Sequence, residues 1–350
     1  MAGGGAERVQ LEIMRHLVAA GHDVHLVLAF GGGVLIPLVP AGVRVIELRS
    51  SRLFASIKGL ARYLKAERPW SLQAIMWPCT VIAVIARFVA RSRTKLVLSD
   101  HTFLSDHYAG ARNHLALRAS MRLCYPRAEH RVAVSRGAAA DVAKLAGLPA
   151  DAVEVIYNPV GLPETIEATA EAREFWAGAS PRIISAGSFK AEKNHQLLLR
   201  AFAIVAKEHP QARLIILGEG SLRAELEALR DALDLRDKVV LPGFQLDPWP
   251  FYAEADLFVL SSDYEGMPLV LVEALHAGLR VVSTDCEAGP AELLEGGRYG
   301  RLAPVGDERA LAKAMLDELD APQNAVRQRA RAREISGPAN LQRYEELLAG

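Results

Sequence analysis

The chain has 350 residues, 51% of them hydrophobic and 23% charged, which excludes a disordered polypeptide and leaves room for two domains of ordinary size. Its formal net charge is zero, yet residues 1–160 hold 20 Lys+Arg against 11 Asp+Glu, and the remainder is acidic by the same margin. That asymmetry points the first half towards an anion, a membrane surface or a phosphate, with an uneven solvated surface as the plain alternative. Cys79, Cys124 and Cys286 are odd in number and far apart, with neither a disulfide framework nor zinc spacing. A reducing compartment, the cytoplasm, fits that usage.

The opening "MAGGGAER" reaches charged residues before any apolar run and is no secretory signal. "AERVQLEIMRHLVAAG" has a helical stripe closed by glycine, and "DVHLVLAF" and "VRVIEL" follow as strands. "LFASIKGLARYLKAE" reads as an amphipathic helix ended before Pro69. Its stripe of Leu53, Ile57, Leu60 and Leu64 beside Arg52, Lys58, Arg62 and Lys65 suits an interfacial helix at a membrane, or a core-packed helix with a basic outer face. The longest uncharged run, residues 69–86, reads as a buried strand, "LQAIMW", and a helix, "TVIAVIARFVA", so no transmembrane span is expected. "KLVLSDH" and "HRVAVS" are short aliphatic runs ending in polar residues, and "RIISAG", "ARLIILG", "VVLPG", "DLFVLSS" and "LRVVST" repeat the pattern in the second half.

Alternating aliphatic strands and helices imply an α/β chain with parallel sheets covered on both faces. Two such sets, with "YNPVGLPETIEATAEA" between them, predict two Rossmann-like domains, residues 1–160 and 161–325, and a closing helix over 326–350. Ligands then belong at the carboxyl ends of the strands, in a cleft between domains. One feature breaks the pattern. A doubly wound domain carries its glycine-rich phosphate turn between a strand and a helix, but "GGGAER" has no strand before it, which suggests a start assigned too late or a partial chain.

The stretch "EGMPLVLVE" places Glu265 and Glu273 at either end of an apolar run. Pro268 suits a helix start and Gly278 a C-cap, so a helix dipole and the free N–H groups around this helix start face an anion. Two carboxylates flanking a phosphate site match an extended ligand with hydroxyls at both ends; a solvent-facing acid and an incidental Glu273 are the competing reading. "SAGSFKAEKNHQLLLRAF" adds a strand, a small-residue turn and Lys193 as a point charge for phosphate. "LGEGSLR" is weak evidence for more than a turn.

Taken together, "GGAER", "GHDVHLV", "SDH", "VEVIYNPV", "AGSFKAEKNH", "IILGEGSLR", "LPGF", "ADLFVLSSDYEGMPLVLVEALHAGLRVVSTD" and "GPAELL" resemble, in order, the glycosyltransferase family 4 pattern. "KNH", "STDCEAGPAELL" and "YGRLAPVGD" look like its bacterial members that add N-acetylhexosamines to lipid-linked or capsular glycans. The resemblance implies a GT-B fold and retaining transfer from a nucleotide-diphosphate sugar, with UDP the expected nucleotide. No metal, no other cofactor and no nucleic-acid partner are expected. The acceptor would be lipid-linked or a polysaccharide, and the enzyme cytoplasmic, peripheral to the inner membrane face. By position, Lys193 would stabilise the leaving diphosphate with N–H groups near Gly187 and Ser188 and at Gly266, Met267 and Leu269, while Pro268, which has no N–H, would border the same site. Glu265 would hold sugar hydroxyls, Glu273 the ribose, and Gly4 and Gly5 would border the diphosphate. His101 would contact the sugar near the reacting carbon, and "LPGF", ending at Phe244, would border the base. Ser188 stands where the family usually has arginine, with Lys190 nearby at a different spacing. A non-catalytic relative and a nucleotide-sugar epimerase are the competing functions.

Overall fold

The computed structural model describes residues 4–176 and 178–350; Gly3, the first glycine of "GGGAER", lies outside them. The chain divides into two compact units, one running to Val160 and including Ser336–Gly350, the other Gly161–Ile335.

In unit 1, α1 (Gly5–Ala19) leads to β1 (Val24–Leu28) and β2 (Val43–Glu47), then α2 (Ser56–Glu67), β3 (Ser71–Ile75), α3 (Cys79–Ala90) and β4 (Lys95–Asp100). Next come α4 (Leu104–His107), α5 (Ala111–Cys124), β5 (His130–Ala133), α6 (Arg136–Ala146) and β6 (Glu154–Val155). Local chemistry sets the bounds. The Ser135 hydroxyl accepts from the Ala138 N–H to open α6, and Gly147, at φ 66°, closes it.

All strand pairs of unit 1 are parallel, but they form two sheets: β1 with β2, and β3-β4-β5-β6 in that order. In the doubly wound order, a strand feeding α1 lies between β1 and β3. The break in the sheet falls at that place.

Helix α2 does not offer its stripe to a membrane. Leu60 and Leu64 are buried in the unit 1 core, and Leu53 and Ile57 pack against it. Of the two readings of this helix, the core-packed one holds: its apolar face lies in the core, and Lys58, Arg62 and Lys65 form a solvated outer face.

Unit 2 runs α7 (Ala170–Trp176), β7 (Arg182–Ala186), α8 (His195–Glu208), β8 (Arg213–Leu217), α9 (Arg223–Ala232), β9 (Val239–Gly243) and α10 (Trp249–Tyr252). It continues through β10 (Leu257–Leu260), α11 (Leu269–Ala277), β11 (Arg280–Thr284), α12 (Pro290–Leu293), β12 (Arg301–Ala303), α13 (Glu308–Leu319) and α14 (Ala325–Ile335). Its six strands make one parallel sheet, β12-β11-β10-β7-β8-β9. The core beneath it holds Phe202, Leu214, Ile216, Val259, Leu311 and Met315, all fully buried, each stabilising by about 2 kcal/mol.

The segment read as one closing helix over 326–350 is two helices, α14 within unit 2 and α15 (Pro338–Ala349) within unit 1. Gly337 and Pro338 account for the break: proline cannot continue a helix but suits its first turn, and Gly337 caps α15. Among the described residues, no helix is long and apolar enough to cross a membrane.

Candidate active site

Strand order in unit 2 reverses between β7 and β10, the position at which an open parallel sheet leaves a crevice at its carboxyl ends. The segments leaving those two strands are residues 187–193 and 261–268, and they carry most of the expected site.

After β7 the chain turns at Gly187, Ser188 and Phe189, and this turn interlocks with the one after β8. The Gly187 N–H donates to the Leu217 carbonyl at 2.9 Å, and the Phe189 N–H to Glu219 at 2.9 Å. A Cβ on Gly218, whose φ is 157°, would sit 1.9 Å from the Gly187 oxygen, and one on Gly220 would sit 2.5 Å from the Phe189 oxygen. "GEG" is thus a packing requirement. Because the Gly187 N–H is committed to Leu217, it is not free to bind phosphate.

A single 3-10 turn then presents Lys193, and Asn194, in the left-handed region at φ 43°, caps α8. Asn194 accepts from the Leu197 N–H at 3.1 Å and donates to the Asp263 carboxylate at 2.8 Å, tying this turn to the end of β10. Lys193 Nζ donates to Glu265 Oε1 at 2.6 Å, and the Ser262 hydroxyl donates to the same oxygen at 2.7 Å. The Glu265 side chain is 8% exposed and that of Lys193 21%, so the pair is largely out of water. Removing either partner strands a charge, at a cost of about 3–5 kcal/mol.

Helix α11 begins one residue later than expected: Pro268 is its N-cap and Leu269 its first helical residue, with Gly278 closing it at φ 83°. Met267 is buried, and the Gly266–Pro268 loop is pressed by Gly289, where a Cβ would lie 2.8 Å from Pro268 Cδ and 3.0 Å from the Gly266 oxygen. Glu273 is 7% exposed within the helix, and the Tyr252 hydroxyl donates to its Oε2 at 3.2 Å. Phe244, after the positive-φ Gly243, is 46% exposed. Ser188 is half-buried and Lys190 exposed.

His195, the first residue of α8, lies under the Gly187 turn. It is 4% exposed, edge-on to Phe189 at 5.4 Å, with Nε2 3.6 Å from the point a Gly187 Cβ would occupy. Burial, then the neighbouring Lys193 charge, pushes its pKa down to about 4, so the ring is neutral at neutral pH. Burial beside Glu265 pushes the Cys286 thiol up to about 12, leaving it inert.

In unit 1, His101 follows the carboxyl end of β4, its Nε2 3.2 Å from the Ser99 hydroxyl. Burial lowers its pKa to about 4, partly offset by Asn158, so it is a neutral hydrogen-bonding group. Asp100 beside it is fully buried and accepts from the Tyr125 hydroxyl at 2.8 Å; burial raises its pKa to about 7. Gly4 is the N-cap of α1 and Gly5 its first residue, and the Gly4 N–H donates to the Glu7 carboxylate at 2.7 Å. An acid of the chain therefore already occupies that helix start.

Comparison with known proteins decides the family. Residues 168–335 match the model described as glycosyl transferases group 1, and residues 3–162 the one described as glycosyltransferase family 4. The N-acetylgalactosamine-N,N'-diacetylbacillosaminyl-diphospho-undecaprenol 4-alpha-N-acetylgalactosaminyltransferase of Campylobacter jejuni is 32% identical over 256 residues, 72% of this chain and 68% of that one. The chain belongs to glycosyltransferase family 4.

A further relative is the amylovoran biosynthesis glycosyltransferase AmsD of Erwinia amylovora, 25% identical over 85% of this chain and 81% of that one. The crystal structure of Anabaena HepE in complex with UDP and glucose superposes with a TM-score of 0.82 over 99% of this chain and 96% of that one, at 22% identity. The fold is accordingly GT-B, and the protein is a nucleotide-sugar glycosyltransferase of glycan biosynthesis.

Within this family 4 enzyme, sequence reasoning singled out Lys193 and Glu265 separately, and the structure joins them across 72 residues. It missed Ser262, Asn194, Tyr252 and Gly289. Gly289 had a legible signal, the Gly-Pro step of "AGPAELL"; Tyr252 had none, because its contact with Glu273 exists only once α10 and α11 pack together.

Proposed function

We propose that this enzyme moves an N-acetylhexosamine or related hexose, with retention of anomeric configuration, from a UDP-sugar to a lipid-linked or polysaccharide acceptor. The observation that carries the reading is the largely buried Lys193–Glu265 pair beside the start of α11, on the two strand ends that flank the switch point of unit 2. The Campylobacter relative, named for α-N-acetylgalactosaminyl transfer onto a diphospho-undecaprenol-linked sugar, supports the choice of donor class and acceptor.

Chemically, the bond between the anomeric carbon and the β-phosphate oxygen breaks, and its electron pair stays on the phosphate. The acceptor hydroxyl attacks from the same face and passes its proton to the departing phosphate oxygen. Lys193 offsets the charge that grows there, and Glu265, already holding Lys193 in place, accepts hydrogen bonds from sugar hydroxyls. Glu273 takes the ribose hydroxyls. His101, neutral at working pH, serves as a hydrogen-bonding group at the sugar and not as a cation. Gly266, Met267 and Leu269 supply backbone groups to the diphosphate, and Phe244 borders the base.

The test is UDP release from UDP-sugars, measured with and without a polyprenyl-diphosphate-linked acceptor. Release that depends on acceptor, with an α-linked product by NMR, is expected. Glu273→Ala should weaken UDP binding about tenfold or more, while Glu265→Ala chiefly lowers kcat. Interconversion of the sugar without acceptor, or no turnover with any donor, would replace this reading with epimerase or non-catalytic function.

A further inference from the structure

Trp77, Tyr108 and His107 form a row of rings at the carboxyl end of the larger unit 1 sheet, and the chemistry assigned to the donor uses none of them. Met76 follows β3 in the left-handed region at φ 64°, a conformation that a non-glycine residue keeps only where its surroundings hold it. Its N–H donates to the Ser99 carbonyl at 2.9 Å, and Ile75 is in register with Ser99, so Trp77 leaves β3 level with His101.

Trp77 and Tyr108 meet edge to face, with ring centroids 4.6 Å apart at 71°, and His107 lies 4.6 Å from Tyr108. The row is held in place by hydrogen bonds. The Trp77 indole N–H donates to the Ser120 hydroxyl at 3.0 Å, and the Tyr108 hydroxyl to the Trp77 carbonyl at 2.9 Å. Asp141 accepts from the Ser105 N–H at 3.0 Å in the first turn of α4, the helix that ends at His107. Trp77 and Tyr108 rest on the unit 1 core and are half-buried, while His107 is exposed. With the indole N–H and the phenol spent inside the chain, these two rings offer a ligand carbon surface and not hydrogen bonds. The carboxyl groups packed near the same strand end, Asp100 and Asp141, are buried acids, which disfavours a diphosphate there. A pyranose fits both features: its C–H face suits the rings, and its hydroxyls suit the neutral His101 alongside.

We propose that Trp77 and Tyr108 bind the apolar face of a pyranose ring, the terminal sugar of the acceptor glycan, and so restrict this enzyme to acceptors that already carry a sugar. The donor is the other source of a pyranose, but its sugar is tied to a diphosphate, whose charge belongs with Lys193 in unit 2. Identity as an acceptor rests on the transferase function proposed for this enzyme; affinity for a pyranose does not. A polyprenyl phosphate without a sugar is then no acceptor.

Fluorine NMR of the full chain labelled with fluorotryptophan is the first test, the Trp77 signal being the one missing from Trp77→Phe. The probes are the methyl glycosides of N-acetylgalactosamine, galactose and glucose, with glycerol and UDP as controls. A shift of the Trp77 signal with at least one glycoside, and none with glycerol or UDP, is expected. No shift with any glycoside, an equal shift with glycerol, or a larger shift with UDP would overturn the proposal. A glycoside shift in a chain that turns over no donor supports the sugar site and overturns the transferase function alone. In turnover with a polyprenyl-diphosphate-linked glycan, Trp77→Leu and Tyr108→Leu should raise the acceptor KM about tenfold and leave the KM for the UDP-sugar within about twofold. Trp77→Phe keeps a ring but loses the bond to Ser120, and its acceptor KM should stay within about threefold of the parent. Thermal stabilisation by UDP, read on each variant, shows that the chain is folded. Equal acceptor losses in Trp77→Phe and Trp77→Leu, or a donor KM that rises with the acceptor KM, would make the row a structural strut and overturn the proposal.

Discussion

Strands β1 and β8 are nearly the same in composition, "VHLVL" and "RLIIL", yet one residue of β1 is buried and four of β8 are. The difference is the neighbourhood. Strand β8 lies between β7 and β9 in a six-stranded sheet, while β1 pairs with β2 alone and β3 begins a separate sheet. Strands β2 and β3 share the shortfall, with none and one of five residues buried. An aliphatic strand in a parallel sheet is stabilised by both neighbours and both faces, so unit 1 carries the weaker scaffold and unit 2 the rigid one.

The largest expected effect challenges that contrast at its strongest point. Gly218→Ala in unit 2 drives a Cβ to 1.9 Å from a backbone oxygen and should cost about 4 kcal/mol or more, whereas Gly32→Ala in unit 1, at φ 80° with nothing within 4 Å, should cost about 1 kcal/mol. Denaturant unfolding measures both. Similar losses would mean that the interlocked turns of unit 2 yield.

Acid should separate the units next. The pKa of His195 is about 4 in the folded chain against about 6.5 unfolded, so protons favour the unfolded state as pH falls from 6.5 towards 4. His195 then costs unit 2 up to about 3 kcal/mol, and His195→Gln removes that part of the loss, while His276, lowered by burial, keeps the same sign. In unit 1, His101 has the same sign, but Asp100 opposes it: its proton is kept up to about pH 7, so its contribution falls as pH rises from 4 to 7. Unit 1 stability should be flat between pH 4 and 6.5, by amide exchange of unit-specific peptides. A steeper acid loss in unit 1 would contradict this balance.

A smaller effect sharpens the comparison within the native state. Amides of β1 and β3 should exchange about thirtyfold faster than those of β7, β8 and β10, an opening free energy lower by about 2 kcal/mol. Equal protection would show that the two part-sheets are as stable as the continuous one.

Sequence legibility divides along the same line. The α/β alternation, the parallel strands and the helix at "LVLVEALHA" follow from periodicity, glycine caps and proline, all local signals. Lys193 and Glu265 were legible as residue types in "KAEKNH" and "DYEGMP", but their pairing was not, because the order of strands β10 and β7 is not written in either segment. Helix α2 shows the opposite failure. A stripe at helical spacing with a basic flank reads the same whether it faces lipid or core, and only the packing of Leu60 and Leu64 decides. The 83% exposure of Phe88 was hidden for the mirror reason, since "TVIAVIARFVA" reads as a helix with apolar residues all round and no sign of which face stays outside.

The central claim is that the donor is held by unit 2 through the segments around Lys193 and Glu265. Amide exchange of the whole protein with and without UDP tests it most directly. The account predicts protection concentrated in residues 187–195 and 263–273, lost in Lys193→Ala. Protection elsewhere with these segments unchanged would contradict it.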